Sequence, residues 1–157
     1  MTDRPAVLFV CLGNICRSPL AETAFRHAAE RAGLSAEADS AGTGDWHLGA
    51  PPDPRAQDIA RRMGHEIGHL RARQVTGADF HRFTHVVALD HANLRALEAL
   101  RPAGASAALS LLLDHVPGRE GQAVADPYFG ADDGFATTWA QVAAGADGLL
   151  RTLTRPG

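Results

Sequence analysis

The sequence predicts an α/β fold: a single-domain, three-layer sandwich in which helices cover both faces of a four-stranded parallel sheet. Strand-like and helix-like segments alternate along the chain, which is typical of parallel sheets. The runs at 7–10 and 85–89 are almost continuously apolar, as expected of strands that are buried on both faces. A length of 157 residues suits one domain, which we expect to span residues 1–157.

The first strand, at 7–10, runs into a short loop and then into a helix predicted at 19–32. Ser18 is predicted as the N-cap of this helix, Pro19 fits its first turn, and Gly33 ends it. The sequence therefore predicts a strand–loop–helix unit, with a phosphate-binding loop directly after the first strand.

Weaker patterns predict the other elements. Two further strands are expected at 36–40 and 106–113. A Gly- and Pro-rich stretch at 41–54 is too long for an ordinary connection, and long loops of this kind often carry function. The remaining helices are predicted at 54–63, from Thr76 onward, from the N-cap Asp90 to Pro102, and from about residue 132 to residue 153.

Composition limits the classes of function. Apolar residues make up 45% of the chain and charged residues 21%, which is ordinary for a folded globular protein. The net charge of −3 argues against binding to nucleic acid or to a membrane surface. The sequence shows no signal peptide and no apolar run long enough to span a bilayer, so we expect a cytoplasmic protein. As a separate expectation, the protein acts as a monomer. Cys11 and Cys16 are the only cysteines, which excludes a framework of structural disulfides.

The loop after the first strand combines a cysteine with an arginine. Five residues separate Cys11 from Arg17. In such a loop successive backbone amides can point at one spot, in line with the positive end of a helix, and the arginine fork can pair with phosphate oxygens. The same field favours a cysteine thiolate, which is the nucleophilic form. One short loop therefore offers a nucleophile and a cradle for an oxyanion.

The stretch from Val7 to Glu22, VLFVCLGNICRSPLAE, resembles the signature of the low-molecular-weight protein tyrosine phosphatases almost residue for residue. The resemblance continues in order along nearly the whole chain. It implies an enzyme that hydrolyses phosphotyrosine in proteins, and aryl phosphates, with inorganic phosphate as product and inhibitor and without a metal or organic cofactor. The further matching segments are 39–43 (DSAGT), 52–56 (PDPRA), 72–74 (ARQ), 89–90 (LD), 93–94 (NL) and 126–128 (DPY).

The resemblance also implies roles for individual residues. Cys11 would be the nucleophile that takes the phosphoryl group, Arg17 would clamp its oxygens, and Asp126 would be the general acid. These roles agree with the chemistry, because phosphoryl transfer requires mainly positioning and charge stabilisation, and a leaving phenolate gains from protonation. The phosphate-binding residues would be Leu12, Gly13, Asn14, Ile15, Cys16 and Arg17.

The resemblance also implies that three residues support the structure of this loop. Ser18 would stabilise the thiolate, and Asn14 would hold the shape of the loop with help from Ser40. Many relatives also place a histidine shortly before the Ala-Arg-Gln segment, hydrogen-bonded to the loop asparagine. Here His69 stands one residue further from that segment than in the mammalian pattern. Either a small bulge absorbs the shift or His69 does not reach Asn14.

Aromatic residues are expected to form the substrate cleft. Trp46 lies in the Gly-rich loop, and Tyr128 and Phe129 follow Asp126, so we interpret them as walls of a flat aromatic slot. Relatives usually carry a second tyrosine at the position of Phe129. Ile15 completes the cleft, and the resemblance implies a preference for phosphotyrosine, because relatives that act on phosphoarginine tend to have threonine there.

Two residues keep two interpretations each. Cys16 either packs in the core or, as the family implies, forms a disulfide with Cys11 that shields the nucleophile from over-oxidation. Asp90 is preferred as a helix N-cap, although the family also places it near the loop.

Rival functions also have to be weighed. An arsenate reductase on the same fold needs further cysteines beyond Cys11 and Cys16, and a non-catalytic phosphate-binding module needs neither nucleophile nor acid. The segment 65–69 fits the zinc-protease motif H-E-x-x-H, but that motif requires a helix, and Gly64 and Gly68 indicate a helix end. The sequence does not reveal the physiological substrate: a polysaccharide-export kinase as substrate and a role as a secreted effector both stay open.

Overall fold

The computed structural model describes residues 4–128, 130 and 134–154. Within these ranges no helix combines the length and the apolar character that crossing a bilayer requires. The strands are β1 (Ala6–Cys11), β2 (Glu37–Gly42), β3 (His85–Ala88) and β4 (Ala108–Leu111). The helices are α1 (Arg17–Ala32), α2 (Pro54–Arg62), α3 (Asp79–Arg82), α4 (His91–Leu100) and α5 (Gly134–Thr154), and a 3-10 helix, Leu112–His115, follows β4.

The four strands are parallel and lie in the order β2-β1-β3-β4. Alternate residues of β1 enter two separate apolar clusters. Val7 and Phe9 pack with side chains of α1, α2 and α5 on one face, whereas Leu8 and Val10 pack with α3 and α4 on the other. All four side chains are fully buried, which explains why β1 is a continuous apolar run. The predicted α/β sandwich is confirmed.

The strand order places the carboxyl ends of β1 and β3 side by side. The loop at 12–16 follows β1, and Leu89 and Asp90 follow β3. The carbonyl of Leu89 accepts a hydrogen bond from the backbone amide of Val124 at 2.8 Å, which brings the segment around Asp126 to the same edge. In open parallel sheets, ligands bind at this edge where the strand order reverses. The fold therefore gathers distant polar residues around the first loop.

Several element boundaries differ from the sequence prediction. Helix α1 begins at Arg17, so Ser18 lies in its first turn and the prediction of Ser18 as N-cap is wrong. Helix α3 begins at Asp79 rather than Thr76, because the Asp79 carboxylate accepts a hydrogen bond from the Thr76 amide at 2.8 Å and holds a turn there. Strand β2 continues to Gly42, and β4 is only four residues long because the chain then tightens into the 3-10 helix.

Gly42, at the end of β2, allows this strand to approach the first loop. A Cβ atom built on Gly42 would lie 2.7 Å from the carbonyl oxygen of Leu12 and 3.2 Å from the amide nitrogen of Asn14. Both are backbone atoms, which cannot move aside without distorting the loop. The absence of a side chain at Gly42 is therefore a requirement of the loop geometry.

We predict that Gly42→Ala destabilises the protein and weakens binding of phosphate. Overpacking against a fixed backbone should lower the free energy of unfolding by about 1–3 kcal/mol, measured by urea unfolding, and isothermal titration should show a raised Kd for inorganic phosphate. Gly77→Ala is the matched control, because its Cβ would lie 3.4 Å from the nearest atom, a Pro102 side-chain carbon. Equal stability and phosphate affinity in both variants would contradict this account of Gly42.

Candidate active site

Hydrogen bonds from outside the loop fix the shape of residues 12–16. The carbonyl and the next amide of a trans peptide point in opposite directions. The amides of Leu12, Gly13 and Cys16 therefore point into the loop, beside the amino end of α1, as in an anion-binding site. The carbonyls that point outward accept backbone hydrogen bonds as follows: Cys11 from Thr43 (2.9 Å), Leu12 from Gly44 (2.9 Å) and Ile15 from Asp53 (2.8 Å).

Asn14 adopts a left-handed backbone conformation in this loop, with a φ of 60°. Asparagine tolerates that region better than most residues, and here its side chain is anchored at both ends. Its amide nitrogen donates to the hydroxyl of Ser18 at 2.8 Å, and its amide oxygen accepts from the backbone amide of Arg73 at 3.0 Å. Neither partner is His69. Of the two alternatives left by the sequence, the second therefore holds: His69 does not reach Asn14, and the backbone amide of Arg73 holds it instead.

Ser40 takes part in a different contact from the one expected. Its hydroxyl donates to the carboxylate of Glu22 at 2.8 Å, and that carboxylate also accepts from Arg26 at 3.0 Å. Burial raises the pKa of Glu22, and the contacts with Ser40 and Arg26 oppose the rise. Ser40 therefore joins β2 to α1, and the expectation that its hydroxyl helps to hold Asn14 is corrected.

The hydroxyl of Ser18 is placed to donate a hydrogen bond to Cys11. Its oxygen lies 3.0 Å from the sulfur of Cys11 and 3.4 Å from the carbonyl oxygen of Ala41. Asn14 donates a hydrogen bond to this oxygen, so the hydroxyl still has its one proton to donate. The sulfur of Cys11 is nearer than the carbonyl oxygen of Ala41, and is therefore the acceptor that we infer. Both Cys11 and Ser18 are buried.

Arg17 is a buried cation that is held from two sides. Its Nη1 atom donates to the carboxylate of Asp90 at 2.8 Å and to the carbonyl of Val124 at 3.2 Å, and its Nη2 atom lies 3.5 Å from the carboxylate of Asp126. Burial opposes the charge, but Cys11, Asp90 and Asp126 outweigh it, so the pKa of Arg17 lies above its ordinary value. The guanidinium is charged and oriented within the site.

Asp90 fulfils both interpretations that the sequence left for it. Its carboxylate accepts a hydrogen bond from the backbone amide of Asn93 at 2.7 Å and so caps α4, as predicted. The other oxygen of the same carboxylate pairs with Arg17. A single carboxylate, that of Asp90, therefore caps α4 and orients the guanidinium of Arg17.

Asp126 lies in the loop before α5, and its side chain is 40% exposed. One carboxylate oxygen accepts from the backbone amide of Tyr128 at 3.1 Å, and the other faces Arg17. The preceding residue is tied to α5, because Thr138 donates to the carbonyl of Ala125 at 3.1 Å and Gln141 accepts from its amide at 2.9 Å. A carboxyl group is thus held beside the loop at 12–16 while it remains open to water.

A cavity of about 230 Å³ brings the predicted residues together. Cys11, Arg17 and Asp126 line it, although Asp126 is more than a hundred residues away in sequence from the other two. Its walls include Ile15, Trp46 and Tyr128, as the sequence predicted, and Phe129 lies outside the described residues. The remaining lining residues are Leu12, Gly13, Cys16 and His47.

His47 is a lining residue that the sequence interpretation missed. Its ring centroid lies 6.3 Å from that of Tyr128, and a Cβ atom on Gly13 would come within 3.0 Å of the imidazole. The only signal in the sequence was its place after Trp46 in a long Gly-rich loop. Histidine at this position adds a hydrogen-bonding group to the otherwise aromatic wall.

Cys16 lies in the same cavity lining but in a different electrostatic environment. Its thiol is buried, and burial, with added repulsion from Asp53 and Cys11, raises its pKa far above the ordinary value. Arg55 opposes this rise only in part. Cys16 is therefore a neutral thiol at neutral pH.

The segment 65–69 does not form the helix that a zinc-protease motif requires. It lies after the end of α2 and consists of irregular and turn residues. The imidazole of His65 packs against His27 and Trp139, with ring centroids 4.9 Å and 5.6 Å away. Since the two histidines of the motif do not share a helix face, the match is accidental.

Comparison with known proteins agrees with this geometry. A family model described as "Low molecular weight phosphotyrosine protein phosphatase" matches residues 6–156. A Schizosaccharomyces pombe protein with the same description is 40% identical, with 98% of this chain and 99% of the relative covered. A low molecular weight protein-tyrosine-phosphatase of Streptomyces coelicolor is 47% identical, with 92% and 90% covered.

A solved structure is also similar to this chain in fold and sequence. YfkJ from Bacillus subtilis superimposes with a TM-score of 0.90 at 37% identity, covering 98% of this chain and 97% of that one. The chain therefore belongs to the low molecular weight phosphotyrosine protein phosphatase family. The resemblance drawn from the sequence is confirmed.

We predict that iodoacetate modifies Cys11 and spares Cys16 at neutral pH. The raised pKa of Cys16 keeps it as an unreactive thiol, whereas Cys11 lies beside Arg17 and the loop amides, which attract the anionic reagent. Peptide mass spectrometry should show labelling of Cys11 at least about tenfold faster. In Cys11→Ser, Cys16 should remain slow, which excludes simple blocking by the first label. Comparable labelling of both cysteines would count against the assignment.

Proposed function

We propose that this protein hydrolyses phosphotyrosine in proteins, and simple aryl phosphates, through a cysteinyl-phosphate intermediate. One observation carries the proposal: the sulfur of Cys11, the guanidinium of Arg17 and the carboxyl group of Asp126 line a single cavity. Family membership supports the same reaction class. The three residues supply a nucleophile, an anion clamp and a proton donor, which together are sufficient for phosphoryl transfer.

In the first step the phosphate enters the loop, and its oxygens bind the amides of residues 12–17 and Arg17. The thiolate of Cys11 attacks phosphorus in line with the leaving oxygen. The S–P bond forms, the P–O bond to the phenol breaks, and Asp126 gives its proton to the departing oxygen. Ser18 donates a hydrogen bond that stabilises the thiolate before attack.

In the second step water replaces the phenol. The ionised carboxylate of Asp126 takes a proton from the water, which attacks phosphorus, and the S–P bond breaks to restore the thiolate of Cys11. Inorganic phosphate leaves, and because it fits the same loop it also inhibits the enzyme. Leu12, Gly13, Ile15, Cys16 and Arg17, which line the cavity, would face the phosphate in both steps, and Asn14 would contribute only its backbone amide.

The walls of the cavity account for a preference for aromatic phosphates. Trp46 and Tyr128 offer flat faces, and Ile15 adds an apolar side chain close to the phosphate site. A phenyl ring buried between such surfaces gains both apolar contact and favourable ring geometry.

The rival functions lack comparable support. A disulfide relay of the arsenate reductase type requires a thiol outside the loop, and both cysteines of the chain lie within or beside it. A binding module would not need the acid that faces Arg17. The redox pairing of Cys11 with Cys16 stays a prediction; the two free thiols line the same cavity.

We also propose the cellular setting that this chemistry requires. A thiolate nucleophile remains active in a reducing compartment, which favours the cytoplasm. Residues 1–157 are proposed to form one domain that acts as a monomer. All groups needed for the two steps are side chains or backbone amides of the chain, so the mechanism involves neither a metal nor an organic cofactor.

We predict that Cys11→Ser abolishes hydrolysis of a phosphotyrosine peptide and of phenyl phosphate. Asp126→Ala should lower kcat/KM for phenyl phosphate by about 10²–10⁴-fold, but much less for dinitrophenyl phosphate, whose leaving group does not need a proton. Asp58→Ala, which removes an exposed carboxylate from α2, is the control and should match the wild type. Undiminished turnover by Cys11→Ser would end the proposal.

A further inference from the structure

Arg55 lies in the first turn of α2 and forms hydrogen bonds on two sides. On one side its Nε and Nη2 atoms donate to both carboxylate oxygens of Asp53, each at 3.0 Å. On the other side the same Nη2 atom donates to the backbone carbonyl of Tyr128 at 2.9 Å. A guanidinium presents its donors in a rigid plane, so these contacts fix the distance between the start of α2 and the loop that contains Asp126.

The Asp53 side of this bridge reaches the phosphate loop. The backbone amide of Asp53 donates to the carbonyl of Ile15 at 2.8 Å. Burial opposes the charge of Asp53, but the hydrogen bonds and the charge of Arg55 outweigh it and lower the pKa of that carboxyl. Asp53 is therefore a charged, ordered residue that joins Arg55 to the loop around Cys11.

The Tyr128 side of the bridge reaches the acid. The amide of Tyr128 donates to one carboxylate oxygen of Asp126 at 3.1 Å, and its carbonyl accepts from Arg55. The guanidinium carbon also lies 5.6 Å from the centroid of the Tyr128 ring and 4.7 Å from that of Phe135 in α5. Tyr128 is thus held through its backbone at both ends and through its ring. This fixes the turn that directs the carboxyl group of Asp126.

We propose that Arg55 is a positioning residue for the proton transfer by Asp126. It does not touch the reacting atoms; it sets the distance between the phosphate loop, through Asp53, and the acid loop, through Tyr128. The proposal rests on the proposed function, because it assumes that Asp126 protonates the leaving group. A residue that served only to start α2 or to fill space would affect all substrates alike, whereas a residue that positions the acid affects those that need the proton.

The test is the dependence of kcat/KM on the leaving group. In Arg55→Met, which keeps the stem but removes the fork, kcat/KM for phenyl phosphate should fall about tenfold to hundredfold, and for dinitrophenyl phosphate less than about threefold. Arg55→Lys keeps a charge opposite Asp53 but cannot reach both partners in one plane. Arg55→Lys should show the same selective loss of activity with a Tm close to that of the wild type. An unchanged Tm would show that the loss of activity does not come from a loss of stability.

A double-mutant cycle gives the second readout. If Arg55 acts through Asp126, Arg55→Met should cause no further loss for phenyl phosphate in the Asp126→Ala background. Arg61→Met, on the same helix and largely exposed, is the matched control and should behave as the wild type. A loss that is equal for all leaving groups, or that adds fully to that of Asp126→Ala, would overturn the role of Arg55. Such a result leaves the proposed function intact, whereas activity in Cys11→Ser would remove both.

Discussion

The buried charge of Arg17 is the constraint on which the rest of the site depends. A guanidinium withdrawn from water is strongly destabilising unless charged and hydrogen-bonding partners replace the solvent. Here the partners are Asp90 at the start of α4, the carbonyl of Val124, and Asp126. Satisfying the charge of Arg17 therefore brings these segments together at the amino end of α1. The convergence that satisfies Arg17 also assembles the proposed reaction centre, whose dipoles are oriented before a substrate arrives.

A second constraint acts on the loop itself. The left-handed residue Asn14 has to be held, and its side chain spans from Ser18 to the backbone of Arg73. The side chain of Arg73 is in turn paired with Asp39 of β2 and the buried Asp79. Stability and function are coupled here, because the ion pairs of Arg73 fasten the segment whose backbone amide holds Asn14, and Asn14 in turn supports the shape of the loop.

Much of the fold and the chemical core of the site could be predicted from the sequence. The apolar run of β1 is diagnostic because both of its faces are buried. The proposed nucleophile and its cation, Cys11 and Arg17, follow within seven residues. Ser18 was misassigned because a serine before a proline has the pattern of an N-cap, whereas its hydroxyl is used by Cys11 and Asn14. His47, Arg55 and the backbone contact of Arg73 were missed for another reason. Their partners are distant in sequence, as with Arg55 and Tyr128, which are 73 residues apart, and no local pattern encodes such pairings.

The measurement that tests the central claim most directly is detection of the covalent intermediate. Wild-type enzyme turning over an aryl phosphate is quenched within the first turnovers, digested, and analysed by mass spectrometry. The account predicts a phosphoryl group on the peptide that contains Cys11, and none on the corresponding peptide of Cys11→Ser. A phosphoryl group on any other residue, or turnover without a phosphorylated enzyme, would contradict it.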